Sequence, residues 1–242
     1  MEQRMAAERD PREVYDTLMR EQPSLHGRRT EERYEVAVFN WALQPAVLEW
    51  ISRHARPGLR TLETGCGYST ILFAAGGCVH DAVSPFAEEH TCINDWCRDH
   101  GVSTAGVTYH AGASQRILPA MPPAPLDLIL IDGDHAVPAP FIDYYYTADR
   151  LVRGGLMLVD DTQLRSVQQL CEFLNDERGR WEVVEQVVRT RIYRKLVDGR
   201  VAEGVHFRQQ PFVTKPLEPS PLSRVRRLVK RAGRRIKRAF NS

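Results

Sequence analysis

The feature that most constrains this chain is an alternation. Short apolar runs and helical stretches follow one another five times between residues 60 and 179. The runs are RTLET (60–64), CVHDAVS (78–84), VTYHAG (107–112), LDLILID (126–132) and LMLVDD (156–161). Between and after them come TILFAAG (70–76), FAEEHTCINDWCRDHG (86–101), SQRILPAM (114–121), a helix at about 139–152 and LRSVQQLCEFLNDERG (164–179). Strands joined by helical crossovers run parallel, and a parallel sheet needs both faces covered. WEVVEQVV and RIYRKL follow with a very short turn between them, which predicts an antiparallel hairpin. The expected fold class is therefore α/β: a doubly wound, mostly parallel seven-stranded sheet, Rossmann-like, ending in that hairpin.

Three segments are expected. Residues 1–57 form a helical extension. Val36, Phe39, Leu43, Val47, Trp50 and Ile51 recur there at helical spacing, and Pro57-Gly58 stops the run. Residues 58–215 form the α/β domain, and 216–242 a linker with a basic tail. No apolar stretch approaches the roughly 20 residues that cross a bilayer. The start, MEQRMAAERDPREV, lacks the apolar run of a secretory signal, so a cytoplasmic protein is expected. The five cysteines, an odd number at scattered spacings, suit neither a disulfide framework nor a zinc site and read as reduced packing residues.

In open α/β sheets, ligands bind beyond the carboxyl ends of the strands. The first such end is LETGCGYST. Gly65 and Gly67 let the backbone approach a ligand, and the helix start that follows favours an anionic group. A tight turn without a ligand is the alternative, since Thr70 breaks the G-x-G-x-x-G pattern. Asp132 ends the fourth strand, and Asp160 and Asp161 end the fifth. Neighbouring strands lie about 5 Å apart, so these carboxylates would repel unless a cation sat among them. A hard, oxygen-preferring ion such as Mg²⁺ is the simplest solution; the alternative is that they cap helices or face water. His135 follows three residues after Asp132 and could take a proton from a substrate hydroxyl, or be a supporting histidine. Tyr144, Tyr145 and Tyr146 read as a half-buried helix, or as one wall of a pocket for a ring.

Taken together, the strand–GxG–helix unit, IDGDH, VDD and the closing hairpin resemble class I S-adenosylmethionine-dependent methyltransferases. More narrowly, residues 58–196 are similar to the metal-dependent O-methyltransferases of the catechol type and to bacterial sugar and macrolide O-methyltransferases. CGYS (66–69) and GASQ (112–115) look like two of their cofactor-contacting segments. The resemblance implies that Glu63, Gly65, Gly67 and Ser69 hold the methionine end of S-adenosylmethionine. Ser114 and Gln115 would contact its adenine, and Asp132 would border the cofactor as well. It implies Asp132, Asp160 and Asp161 as metal ligands, with Mg²⁺ the expected ion. His135 falls where the catechol enzymes carry a lysine base. The implied reaction is methyl transfer to a hydroxyl of a small molecule: a sugar, glycolipid precursor, polyketide or phenol.

One departure stands out. The family carries an acid at the end of the second strand for the ribose hydroxyls. Here the segment is HDAVSP, and the acid's place falls on Ala82. Asp81 is one residue off and would point to the other sheet face. Ser84 is the weak substitute. A non-catalytic binding protein on the same fold therefore stays open. A nucleic-acid methyltransferase ranks lower, because IDGDH stands where enzymes acting on base amines carry an N/D-P-P-Y-type turn.

The tail, LSRVRRLVKRAGRRIKRAF (222–240), carries its own signal. The chain has 33 Lys and Arg against 31 Asp and Glu. Nine of the bases and none of the acids fall after residue 220, so the preceding part is seven charges negative. On a helical wheel, Leu222, Val225, Leu228, Val229, Ala232, Ile236, Ala239 and Phe240 fall on one side and the bases on the other. That pattern predicts an amphipathic helix on an anionic membrane surface, hence peripheral association with the inner face of the membrane. Nucleic acid explains the charge but not the stripe. Docking on the chain's own acidic body or on a second subunit is the other alternative.

Overall fold

A computed structural model describes residues 9–25, 43–202 and 205–215. Seven strands are present: β1 (Arg60–Thr64), β2 (Val79–Ser84), β3 (Val107–Ala111), β4 (Leu126–Ile131), β5 (Leu151–Val159), β6 (Trp181–Val187) and β7 (Thr190–Lys195). They form one sheet in the order β3-β2-β1-β4-β5-β7-β6. Pairing is parallel from β3 through β5, and antiparallel between β5 and β7 and between β7 and β6. This is the expected α/β fold. The order reverses between β1 and β4, which opens a crevice at their carboxyl ends.

Side-chain alternation explains why both faces are covered. On β4, Leu128 and Leu130 join one core and Ile129 and Ile131 the other; on β5, Leu158 and Met157 divide in the same way. The first core is closed by α1 (Pro11–Glu21), α2 (Pro45–His54), α3 (Tyr68–Ala75) and α4 (Ala87–Asp99) through Leu18, Leu48, Ile71 and Ile93. The second is closed by α6 (Ala139–Thr147) and α7 (Arg165–Asp176), with the short α5 (Ser114–Ile117) at its edge. In α7, Val167, Leu170, Cys171 and Leu174 recur at helical spacing and are buried. Each leucine so placed contributes roughly 1.5–3 kcal/mol.

Two helices are described within the extension. Asp10 accepts from the Arg12 amide (2.9 Å) to start α1, and Gln22, at φ 45°, ends it. α2 begins again at Pro45, and Leu43, Val47, Trp50 and Ile51 are buried as expected. Val36 and Phe39 lie outside the described residues. α1 and α2 share a core with α3, so the described parts of the extension pack with the sheet. β5 is longer than the sequence suggested. It runs through Gly154-Gly155, with Gly154 at φ 83° and a register shift against β4.

A second unit begins at Phe207 and contains a 3₁₀ turn (Phe207–Gln209) and α8 (Pro211–Thr214). The amphipathic tail at 222–240 lies outside the described residues. Among the described residues no helix is long and apolar enough to cross a membrane. All five cysteines are free.

Candidate functional site

The site is built on the turn from β1 to α3. Gly65 adopts φ 91°, and a Cβ there would stand 2.5 Å from the Asp132 carbonyl oxygen, so only glycine fits without displacement. Its amide donates to the Val83 carbonyl at 2.9 Å, tying the turn to β2. The Gly67 amide donates to Thr70 Oγ1 at 3.0 Å.

Glu63 organises this turn from beneath. It is buried; Ser69 Oγ donates to its Oε2 at 2.6 Å, and Thr70 Oγ1 donates to Oε1. His80 Nε2 lies 3.1 Å from the same Oε1, and its Nδ1 lies 2.8 Å from Thr61 Oγ1. The His80 ring stacks on Phe73 at 4.6 Å. Glu63 thus acts through Ser69 and Thr70, as a positioning residue for the first turn of α3. His80 was missed in the sequence. Its signal is the strand register, which sets His80 opposite Thr61 and two residues along from the partner of Glu63.

At the end of β2, Ala82 is fully buried, and Asp81 Oδ1 lies 2.8 Å from His110 Nε2 on β3. Ser84 Oγ donates to Glu89 Oε2 at 2.6 Å, and Cys66 Sγ lies 3.4 Å from the same oxygen. Glu89, on the first turn of α4, is also buried and was not singled out in the sequence.

Ser114 opens α5 and is buried, whereas Gln115 is exposed. Facing Ser114 is Asp143 of α6, fully buried, with neither carboxylate oxygen hydrogen-bonded. Burial lifts its pKa to about 6, opposed by the nearby hydroxyls of Ser114 and Thr64. Of the three tyrosines, Tyr144 is buried against Phe173 and donates to the Val201 carbonyl at 3.1 Å. Tyr145 and Tyr146 are exposed. The packing reading of this helix holds for Tyr144.

The carboxylates meet across the crevice. Ile131 and Val159 pair in register, so Asp132 and Asp160 leave neighbouring strands side by side. Burial, then the charges of Asp160, Asp161 and Glu63, drive the Asp132 pKa well above the usual carboxylate range. Burial also raises that of Asp160, opposed by a hydrogen bond from Thr190 on β7. Asp161 sits at φ 55°, a left-handed conformation that aspartate tolerates better than most residues. His135 lies between them: Nδ1 is 3.6 Å from Asp161 Oδ2 and Nε2 is 3.8 Å from Asp132 Oδ1. Ser166 Oγ donates to the His135 carbonyl. The His135 Nε2 atom is buried without a hydrogen-bond partner. One donor atom each from Asp132, His135 and Asp161 lies within 4.8 Å of the others. Crowded carboxylates with raised pKa fit a divalent cation, which would relieve the repulsion.

This geometry can be set beside known proteins. A family model described as "Methyltransferase domain" matches residues 62–162, from β1 to just past β5. No curated protein matches the sequence. Among solved structures, the chain is similar to the SAH-bound methyltransferase PaMTH1 of Podospora anserina (16% identity, 78% of this chain and 88% of that one, TM-score 0.56). It is also similar to TomG of Streptomyces achromogenes, an O-methyltransferase involved in tomaymycin synthesis, in complex with SAM (18%, 69% and 86%, TM-score 0.53). At these identities the structural likeness is one of fold, and that fold is the class I methyltransferase fold.

Proposed function

We propose that this chain, whose residues 62–162 carry a methyltransferase domain on the class I fold, is an S-adenosylmethionine-dependent O-methyltransferase. Its acceptor is a hydroxylated small molecule: a sugar, glycolipid precursor, polyketide or phenol. One observation supports this above the rest. The glycine turn, three aspartates and His135 converge at the adjacent ends of β1, β4 and β5, with Gly65 packed against the Asp132 carbonyl.

In this reading Gly65, Gly67 and Ser69 receive the methionine end of the cofactor, and Ser114 and Gln115 its adenine. Asp132, Asp160 and Asp161 hold a divalent cation, with Mg²⁺ suited to their oxygens. S-adenosylmethionine supplies an already activated sulfonium methyl, and the cation would lower the pKa of an acceptor hydroxyl. The protein's own contribution is positioning and one proton transfer. Glu63 fixes the turn through Ser69 and Thr70. His135 takes the hydroxyl proton on Nε2, its buried, unpartnered nitrogen, as the oxygen accepts the methyl group. Asp161, beside Nδ1, orients the ring.

Calorimetry with S-adenosylhomocysteine and a mass-spectrometric screen of hydroxylated acceptors test the reading. Binding tighter than about 1 mM, and gain of one methyl on an acceptor hydroxyl, are expected. No binding would overturn it. The tail at 222–240 is proposed to seat the chain on an anionic membrane surface, which suits a lipid-linked acceptor.

A further inference from the structure

We propose that Glu89 is the carboxylate that holds the ribose hydroxyls of the cofactor, reaching the site from α4 because β2 supplies no acid there. This rests on the reading of the chain as an S-adenosylmethionine binder. In dinucleotide-binding sheets an acid about 20 residues beyond the glycine turn bonds the ribose. β2 does not offer one: Ala82 has no polar group, and Asp81 is engaged with His110. Glu89 lies 24 residues after Gly65 and is 4% exposed.

Its contacts put it at the right corner. Ser84, which donates to Glu89 Oε2 at 2.6 Å, is the last residue of β2. Cys66, 3.4 Å from the same oxygen, lies between the two glycines of the turn. The Gly65 amide bonds to Val83, so turn and strand end are one unit. A glutamate serving only to cap α4 would aim at the amides of its own first turn. The Ser84 and Cys66 contacts instead lie on β2 and on the turn. A vicinal diol presents two O–H donors, and an ionised carboxylate is an acceptor with two oxygens. The Ser84 hydroxyl, donating to Glu89, keeps acceptor capacity for a ribose hydroxyl.

The test is a titration of S-adenosylhomocysteine and its 2′,3′-dideoxy analogue against wild type, Glu89→Gln and Ser84→Ala, with thermal melts alongside. Wild type is expected to prefer the natural ligand by tenfold or more, as bonds to a charged group do. Glu89→Gln should lose most of that preference while binding the analogue as wild type does. Ser84→Ala should lose part of it. Preference is measured within each variant, so general loosening does not mimic the result. An unchanged preference in Glu89→Gln overturns the assignment and leaves the cofactor reading intact. Wild type that binds neither ligand overturns the cofactor reading, and this one with it.

Discussion

Among single residues, the acids of the crevice divide by what surrounds them. Burial is the first cause of the raised pKa in all three, but Asp132 and Asp160 then feel the other acids of the crevice, whereas beside Asp143 stand the hydroxyls of Ser114 and Thr64 and, more weakly, the charge of Asp134. The consequence for stability has a definite sign. An aspartate is about 3.9 when unfolded and about 6 here, so the folded state holds the extra proton between those values. The stability this confers is full below about pH 3.9 and is lost as pH rises through 6. Asp143→Asn keeps the shape without the charge. It is expected to match wild type near pH 4 and to exceed it by about 1–3 kcal/mol at pH 7.5, read from urea melts at the two pH values. His135 gives the complementary kinetic prediction. His135→Gln should lower the methyl-transfer rate by about 10²–10⁴ while leaving calorimetric binding of S-adenosylhomocysteine within a few-fold. Equal losses in both would assign the ring to cofactor binding instead.

At the level of elements, β7 does more than close the sheet. Its last residue, Lys195, is buried, and Nζ donates to the carbonyls of Leu151 (2.7 Å) and Ala148 (3.0 Å), at the start of β5 and just past α6. Its first residue, Thr190, donates to Asp160. The hairpin therefore braces both ends of the strand that carries Asp160 and Asp161. Lys195→Met leaves buried carbonyls without their donor and should cost about 2 kcal/mol in urea denaturation, with an unchanged m-value. Such contacts mark the limit of what the sequence discloses. Strand ends are local, so Gly65, Asp132, Asp160, Asp161 and His135 could be singled out from runs that stop abruptly. Glu89 and His80 could not, because one curls back from a helix and the other works through strand register. Gly154-Gly155 reads as a break, yet β5 passes through it, because pairing with β4 overrides a weak local preference.

Across the whole molecule, charge is unevenly divided. The part before residue 221 is seven charges negative and the remainder nine positive. A purely electrostatic tail would need no apolar stripe, and a purely hydrophobic one no nine bases. Their segregation on a helical wheel matches what an interface with water and anionic headgroups above and acyl chains below would select. Each base near such a surface contributes about 1 kcal/mol, which salt screens, while the stripe is insensitive to salt. Vesicles of neutral lipid with about one-third phosphatidylserine should therefore pellet the full chain in low salt, and less of it in about 0.5 M salt. A chain ending at residue 220 should stay in the supernatant in both. Binding that survives on purely neutral vesicles would assign the attachment to the stripe alone. Equal pelleting of the two chains would remove the tail from membrane attachment, and with it the argument for a lipid-linked acceptor. Retention of the full chain by its own truncated form, in the absence of vesicles, would direct the stripe to a second copy instead.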